Sequence, residues 1–121
     1  MANPFGDRIR ALRRTRTMNQ RTLADAVGID VTYLSKIENG RMAPPSAETI
    51  RKMAAELAGP DEPGLEDELL VLANRVPEDV ERIVTESPAR PAFFRSVADF
   101  TDVELERLRQ QADEIRRQRG A

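Results

Sequence analysis

A chain of 121 residues, 33% of them charged and only 4% aromatic, has room for one small helical domain and an appendage around a modest core. It contains no cysteine and no histidine, which excludes disulfides, zinc sites built on thiolate or imidazole, and catalytic dyads that use either side chain. The net charge of −2 hides an asymmetry: residues 1–58 hold ten Lys and Arg against six Asp and Glu, whereas residues 59–121 hold nine against fifteen, so a basic half precedes an acidic one.

The first helix is predicted over residues 4–15. Asn3 can cap it, Pro4 suits its first turn, and Phe5, Ile9 and Leu12 fall on one face. The opening residues lack the apolar run of a signal peptide. No stretch approaches the roughly 20 apolar residues of a membrane span, so a cytoplasmic protein without membrane contact is expected. After a connector from Thr15 to Met18, Asn19 can cap a second helix over 20–27, with Leu23, Ala24 and Val27 inward. Gly28 stands just past its end, where a left-handed conformation is usual, and Ile29 can plug the turn. Asp30 can cap a third helix over 31–38, with Leu34 and Ile37 inward, and Asn39-Gly40 ends it. Ala43-Pro44-Pro45 is an extended connector. Ser46 then caps a fourth helix over 47–58 that buries Ile50, Met53, Ala54 and Leu57.

Gly59-Pro60-Asp61-Glu62-Pro63-Gly64 is the strongest breaker in the chain and sets the expected boundary between a domain at 1–59 and a second region at 60–121. Four more helices are predicted, over 65–75, 78–86, 91–98 and 102–118. The first has a Leu65, Leu69, Leu72, Val76 stripe and the last a Leu105, Leu108, Ala112, Ile115 stripe. Thr101 and Glu104 have capping-box spacing at the start of the last one. No alternating strand pattern occurs, so the fold class is all-α.

Two helices joined by a turn of about three or four residues that contains Gly make a helix-turn-helix, whose second helix can enter the major groove. With Leu34 and Ile37 inward, the residues of the third helix that project outward are Val31, Thr32 and Tyr33, then Ser35 and Lys36 a turn later. Lys36 can donate to guanine O6 and N7, Thr32 can donate, accept or meet a thymine methyl, and Val31 reads only by apolar contact. Tyr33 can reach a phosphate or pack on the turn, and Ser35 can be simply solvated. Arg21 is the best phosphate candidate among the early arginines, ahead of Arg8, Arg10, Arg14 and Arg16, whose charges an exposed helix face would equally solvate.

Gln20-x-x-Leu23-Ala24-x-x-Val27-Gly28-Ile29, followed by Leu34-x-x-Ile37-Glu38-Asn39-Gly40-Arg41 and by Pro45-Ser46-x-Glu48-Thr49-Ile50, resembles the Xre family, the helix-turn-helix class of lambda repressor and Cro. The resemblance covers roughly residues 5–58. It implies a five-helix-type helix-turn-helix DNA-binding domain followed by a helical C-terminal region, and it implies no cofactor, metal or enzymatic activity. At matching positions it implies that Gln20 holds a phosphate at the start of its helix. Val31, Thr32 and Lys36 would occupy base-reading positions, and Asn39, Gly40 and Arg41 would lie against the DNA backbone. Arg13 and Glu38 would form a buried ion pair. Many relatives carry Gln at one or two of the base-reading positions; this chain does not, so its operator cannot be copied from theirs.

Specific binding of double-stranded DNA by so small a reader usually needs a symmetric dimer on an inverted repeat. The apolar residues of the acidic half, Leu65, Leu69, Leu72, Phe93, Phe94, Leu105, Leu108 and Ile115, are the expected dimer or partner surface. The leading expectation is therefore a homodimeric transcriptional repressor. The alternative is an interaction protein whose second half binds a toxin or an inactivating metalloprotease, as some members of the family do. An enzyme using Glu66, Asp67 and Glu68 is the weakest reading, because an acidic helix start is ordinarily just solvated.

Overall fold

A computed structural model describes residues 3–59 and 62–120, and all regular elements among them are helices. They are α1 Pro4–Thr15, α2 Gln20–Val27, α3 Val31–Glu38, α4 Ala47–Leu57, α5 Leu65–Leu72, α6 Glu78–Val84, α7 Ala89–Ser96 and α8 Asp102–Gly120. The caps explain why most helices start where the sequence predicts. The side chains of Asn19 and Asp30 accept from the amides of Thr22 at 2.8 Å and Thr32 at 2.7 Å, and Ser46 accepts more weakly from Thr49 at 3.4 Å. Thr101 and Glu104 exchange reciprocal bonds of 3.2 and 3.0 Å.

Beyond shifts of about two residues at the ends of α6, α7 and α8, three departures from expectation have a local cause. Asn3 makes no side-chain cap on α1; its amide instead donates to the Glu38 carbonyl at 2.8 Å. α5 stops at Leu72 rather than 75. Asn74 turns left-handed at φ 58°, and the Arg75 amide folds back to the Leu70 carbonyl at 2.8 Å, closing the helix end. α7 begins at Ala89, two residues early. Pro91 then falls in its first turn, where a missing N–H breaks no helical bond.

The chain forms two compact units, Met1–Val80 and Glu81–Ala121. In the first, one apolar cluster joins Phe5, Ile9 and Leu12 of α1 to Leu23, Ala24 and Val27 of α2, Leu34 and Ile37 of α3, and Ile50, Met53, Ala54 and Leu57 of α4. It also takes in Leu65, Leu69, Leu70 and Ala73 of the α5 segment, which packs on α4 and α1. Polar ties fasten α5 and its leader. Arg8 donates to Glu68 at 2.5 Å, Arg16 sits 3.6 Å from Glu62 and donates to the Leu57 carbonyl at 3.0 Å, and Arg75 donates to the Pro44 carbonyl at 2.7 Å.

The boundary expected at 59/60 therefore falls inside the first unit, although Pro60 and Asp61 themselves lie outside the described residues. Leu65 and Leu69, expected on a dimer or partner surface, are core residues instead, and Leu72 packs half-buried against them. The physical reason is that the α5 stripe completes the core left open by α1 and α4.

The second unit is built differently. None of the residues described in α6, α7 or α8 is buried. Phe93, Phe94, Phe100, Val103, Leu105 and Ile115 are exposed, Ile115 at 62%. The Phe93 and Phe94 rings meet edge to face with centroids 5.9 Å apart.

Candidate nucleic-acid interface

The turn between α2 and α3 is set by backbone chemistry. Gly28 adopts φ 85°, a conformation that L side chains reach only at a cost of about 1–2 kcal/mol. There both its amide and that of Ile29 reach the Ala24 carbonyl, at 2.8 and 3.0 Å. Asp30 then opens α3. Hydrogen bonding by Thr32, chiefly from its backbone amide, holds the Asp30 carboxyl below the usual carboxylate range, and the Arg21 charge adds a smaller pull. The negative charge thus stays on the positive end of the α3 dipole.

Leu34 and Ile37 are fully buried and fix the rotation of α3. That rotation exposes Thr32 and Lys36, one turn apart on the same side, with Ser35 half-buried beside them and Asn39 exposed a turn further on. Val31 and Tyr33 are half-buried and pack against the core. The five candidates for base reading are therefore unequal: Thr32 and Lys36 stand free, Ser35 is at their edge, and Val31 and Tyr33 flank them. Beyond the helix, Gly40 and Arg41 are exposed, with the Arg41 amide bonded to the Lys36 carbonyl at 2.8 Å.

The far end of α3 is anchored by Glu38, a charged residue with no exposed surface. Arg13 donates to both its carboxylate oxygens at 2.9 Å and to the Met18 carbonyl at 3.0 Å. This is the ion pair implied at these positions. Three further groups join it. Gln20 donates to Glu38 Oε1 at 3.1 Å, Arg10 lies 3.5 Å from the same oxygen, and the Asn3 amide donates to the Glu38 carbonyl. Burial alone would push the Glu38 carboxyl up. Hydrogen bonds from Arg13 and Gln20, with the charges of Arg13 and Arg10, outweigh it and bring the group below its ordinary value. α1 approaches this corner closely: a Cβ on Gly6 would lie 2.5 Å from the Ile37 carbonyl oxygen.

The hub changes the standing of several residues. The Gln20 side chain, expected to hold a phosphate, is engaged with Glu38 through its amide nitrogen. Arg10, read only as a surface charge, donates to the Asn39 side-chain oxygen at 2.6 Å and so fixes that exposed residue. Arg8 and Arg16 are spent on Glu62 and Glu68. Among the described residues of the first unit, Arg14, Arg21, Lys36, Arg41, Arg51 and Arg75 are exposed and form no ion pair, Arg75 being held instead by the Pro44 and Pro45 carbonyls. Arg21 and Arg41 belong to the segments that bracket α3, so cationic side chains are carried by α2, by α3 and by the loop after it. Glu66, Asp67 and Glu68 are exposed at the start of α5, with Glu68 paired to Arg8. The described residues contain no cluster of acids with metal-ligand grouping, and no helix long and apolar enough to cross a membrane.

Residues 9–61 match the model of the helix-turn-helix family. Over 60 residues, 50% of this chain, the sequence is 45% identical to the uncharacterized HTH-type transcriptional regulator RghRB of Bacillus subtilis (strain 168). Over 58 residues, 48% of the chain, it is 40% identical to the HTH-type transcriptional repressor RghR of the same organism. Each alignment covers 43% of the relative, so the chain spans less than half the length of the curated relatives it matches. No solved structure matches the chain significantly.

Proposed function

We propose, from the match of residues 9–61 to the helix-turn-helix family, that this chain is a sequence-specific DNA-binding transcriptional regulator that represses by occupying its operator. The observation that carries the reading is the outward face of α3, where Thr32 and Lys36 stand clear of a buried Leu34–Ile37 seam on a helix locked at both ends. A helix so presented fits a major groove about 12 Å wide. Lys36 and Thr32 supply base contacts, with Ser35 at their margin and Val31 and Tyr33 limited to apolar or sugar contact. Arg21, Asn39, Gly40 and Arg41 supply the backbone contacts. Gln20 reaches a phosphate only with what remains of its amide after Glu38. Repression needs occupancy alone, and the name of one relative as a repressor favours that sign.

One reader makes a small interface, so the chain acts as a homodimer on an inverted repeat with half-sites about 34 Å apart. The uncovered apolar residues of the second unit support a partner for that unit. They would serve a toxin or a protease as well as a second copy, and the need for two half-sites favours the copy.

The test is selection of bound sites from random duplex DNA by the full chain, repeated with Lys36→Ala and Thr32→Ala. The wild type should enrich an inverted repeat, and each variant should lose discrimination at one position per half-site by about 1–3 kcal/mol. Affinity should fall steeply with salt, with a log–log slope near roughly −5 for about six neutralised phosphates. A uniform loss of affinity in both variants would reduce these residues to backbone contacts, and failure to enrich any site would sink the regulator reading.

A further inference from the structure

We propose that α8 is the dimer element and pairs with α8 of a second copy as a parallel two-stranded coil; this rests on the homodimer reading and adds to it the seam and its direction. Leu105, Leu108, Ala112 and Ile115 recur at spacings of three, four and three, the a and d positions of two successive heptads. α8 is the longest helix of the chain, with 19 residues, and none of its described residues is buried. Leu105 and Ile115 expose 39% and 62% of their surface. Leu108 between them is half-buried, and a polar helix whose one apolar stripe is left largely uncovered is stabilised by packing that stripe rather than by its own propensity.

Charge selects the occupant and its direction. On this heptad Glu104, Gln111 and Gln118 lie along one flank of the stripe, and Asp102, Arg109 and Arg116 lie along the other. In a parallel pair the first flank of one helix meets the second flank of its neighbour five residues further on. Glu104 then faces Arg109 of the other copy twice over, and Gln111 faces Arg116 without repulsion. Glu104 and Arg109 are both solvent-exposed. Arg109 reaches Glu106 and Asp113 within its own helix, at 2.5 and 3.0 Å, and Glu104 accepts from the Thr101 amide, so the contact between copies would be added to these pairs. An antiparallel pair would also join Asp102 to Arg116, but it would set Arg109 against its own copy beside the central layer. The parallel pair has no like-charge contact. Its two-fold axis runs along the seam, and both chains enter it at the same end, as suits two copies bound to one inverted repeat.

The chain has no cysteine of its own, so one introduced thiol reports direction without ambiguity. In a parallel pair Leu105→Cys meets itself, as does Ile115→Cys, and each full-length variant should oxidise to a disulfide-linked dimer. An equal mixture of the two, one of them carrying a tag, should yield no cross-link between unlike chains. Ile115→Glu should raise the dimer dissociation constant roughly 100-fold in sedimentation while the thermal melt of the first unit is unchanged. Cross-linking only between unlike chains would overturn the parallel direction. Absence of any cross-link in chains that sediment as dimers would overturn the role of α8 and leave the homodimer standing. A wild type that stays monomeric at high micromolar concentration, with and without operator DNA, would overturn both.

Discussion

Glu38 is the residue on which the placement of α3 turns. It carries a charge with no solvent, and Arg13, Arg10 and Gln20 converge on it. Arg13→Met should therefore cost about 3–5 kcal/mol in chemical denaturation, because the carboxylate is left buried without its main partner. The pH dependence follows from the lowered folded value. The carboxylate's contribution is fully present above the ordinary glutamate value of 4.5 and is lost as pH falls through the lower value in the folded state. The wild type should thus exceed Glu38→Gln in denaturation midpoint near neutrality, and the gap should close only in stronger acid. A gap that closed above 4.5 would contradict the lowered value. The Arg13–Glu38 pair was legible through its resemblance to a known pattern. Asn3, Arg10 and Gln20 were not, since they meet Glu38 across 18 to 35 positions of chain and nothing local in their neighbourhoods marks them.

Helix ends show the opposite balance. Asn19, Asp30, Ser46 and Thr101 act on amides two or three residues away, so short-range chemistry reveals them. The exit from α1 is less apparent. Thr17 takes φ 54° there, with its amide bonded to the Arg14 carbonyl, and it is exposed. A β-branched residue is poorly suited to that conformation, whereas Asn visits it readily. Thr17→Asn should stabilise the first unit by about 0.5–1 kcal/mol and raise its melting temperature by a few degrees, read by thermal melting at fixed pH. An unchanged or lower melting temperature would mean the site is not strained. α5 was legible as an amphipathic helix but not in its destination. Periodicity gives the face a helix buries and is silent on whether that face meets its own chain or another.

At the scale of the whole molecule, the glycine- and proline-rich stretch before α5 looks like a border, yet the described residues on either side of it belong to one unit. Leu65, Leu69 and Leu70 are each worth about 1.5–3 kcal/mol when buried, against a typical domain total of roughly 5–15 kcal/mol. A fragment ending at Gly59 should therefore lose its cooperative melt, and one ending at Val80 should keep it; circular dichroism against temperature separates the two. The charge asymmetry between the halves has the same origin in part. Glu62 and Glu68, counted with the acidic half, neutralise Arg8 and Arg16 of the basic one. The recognisable family stretch, residues 9–61, closes before α5 begins. A chimera that borrows only that stretch as a portable reader would carry an open apolar flank into its new host, and its behaviour there would be ruled by aggregation before any preference for bases could be expressed.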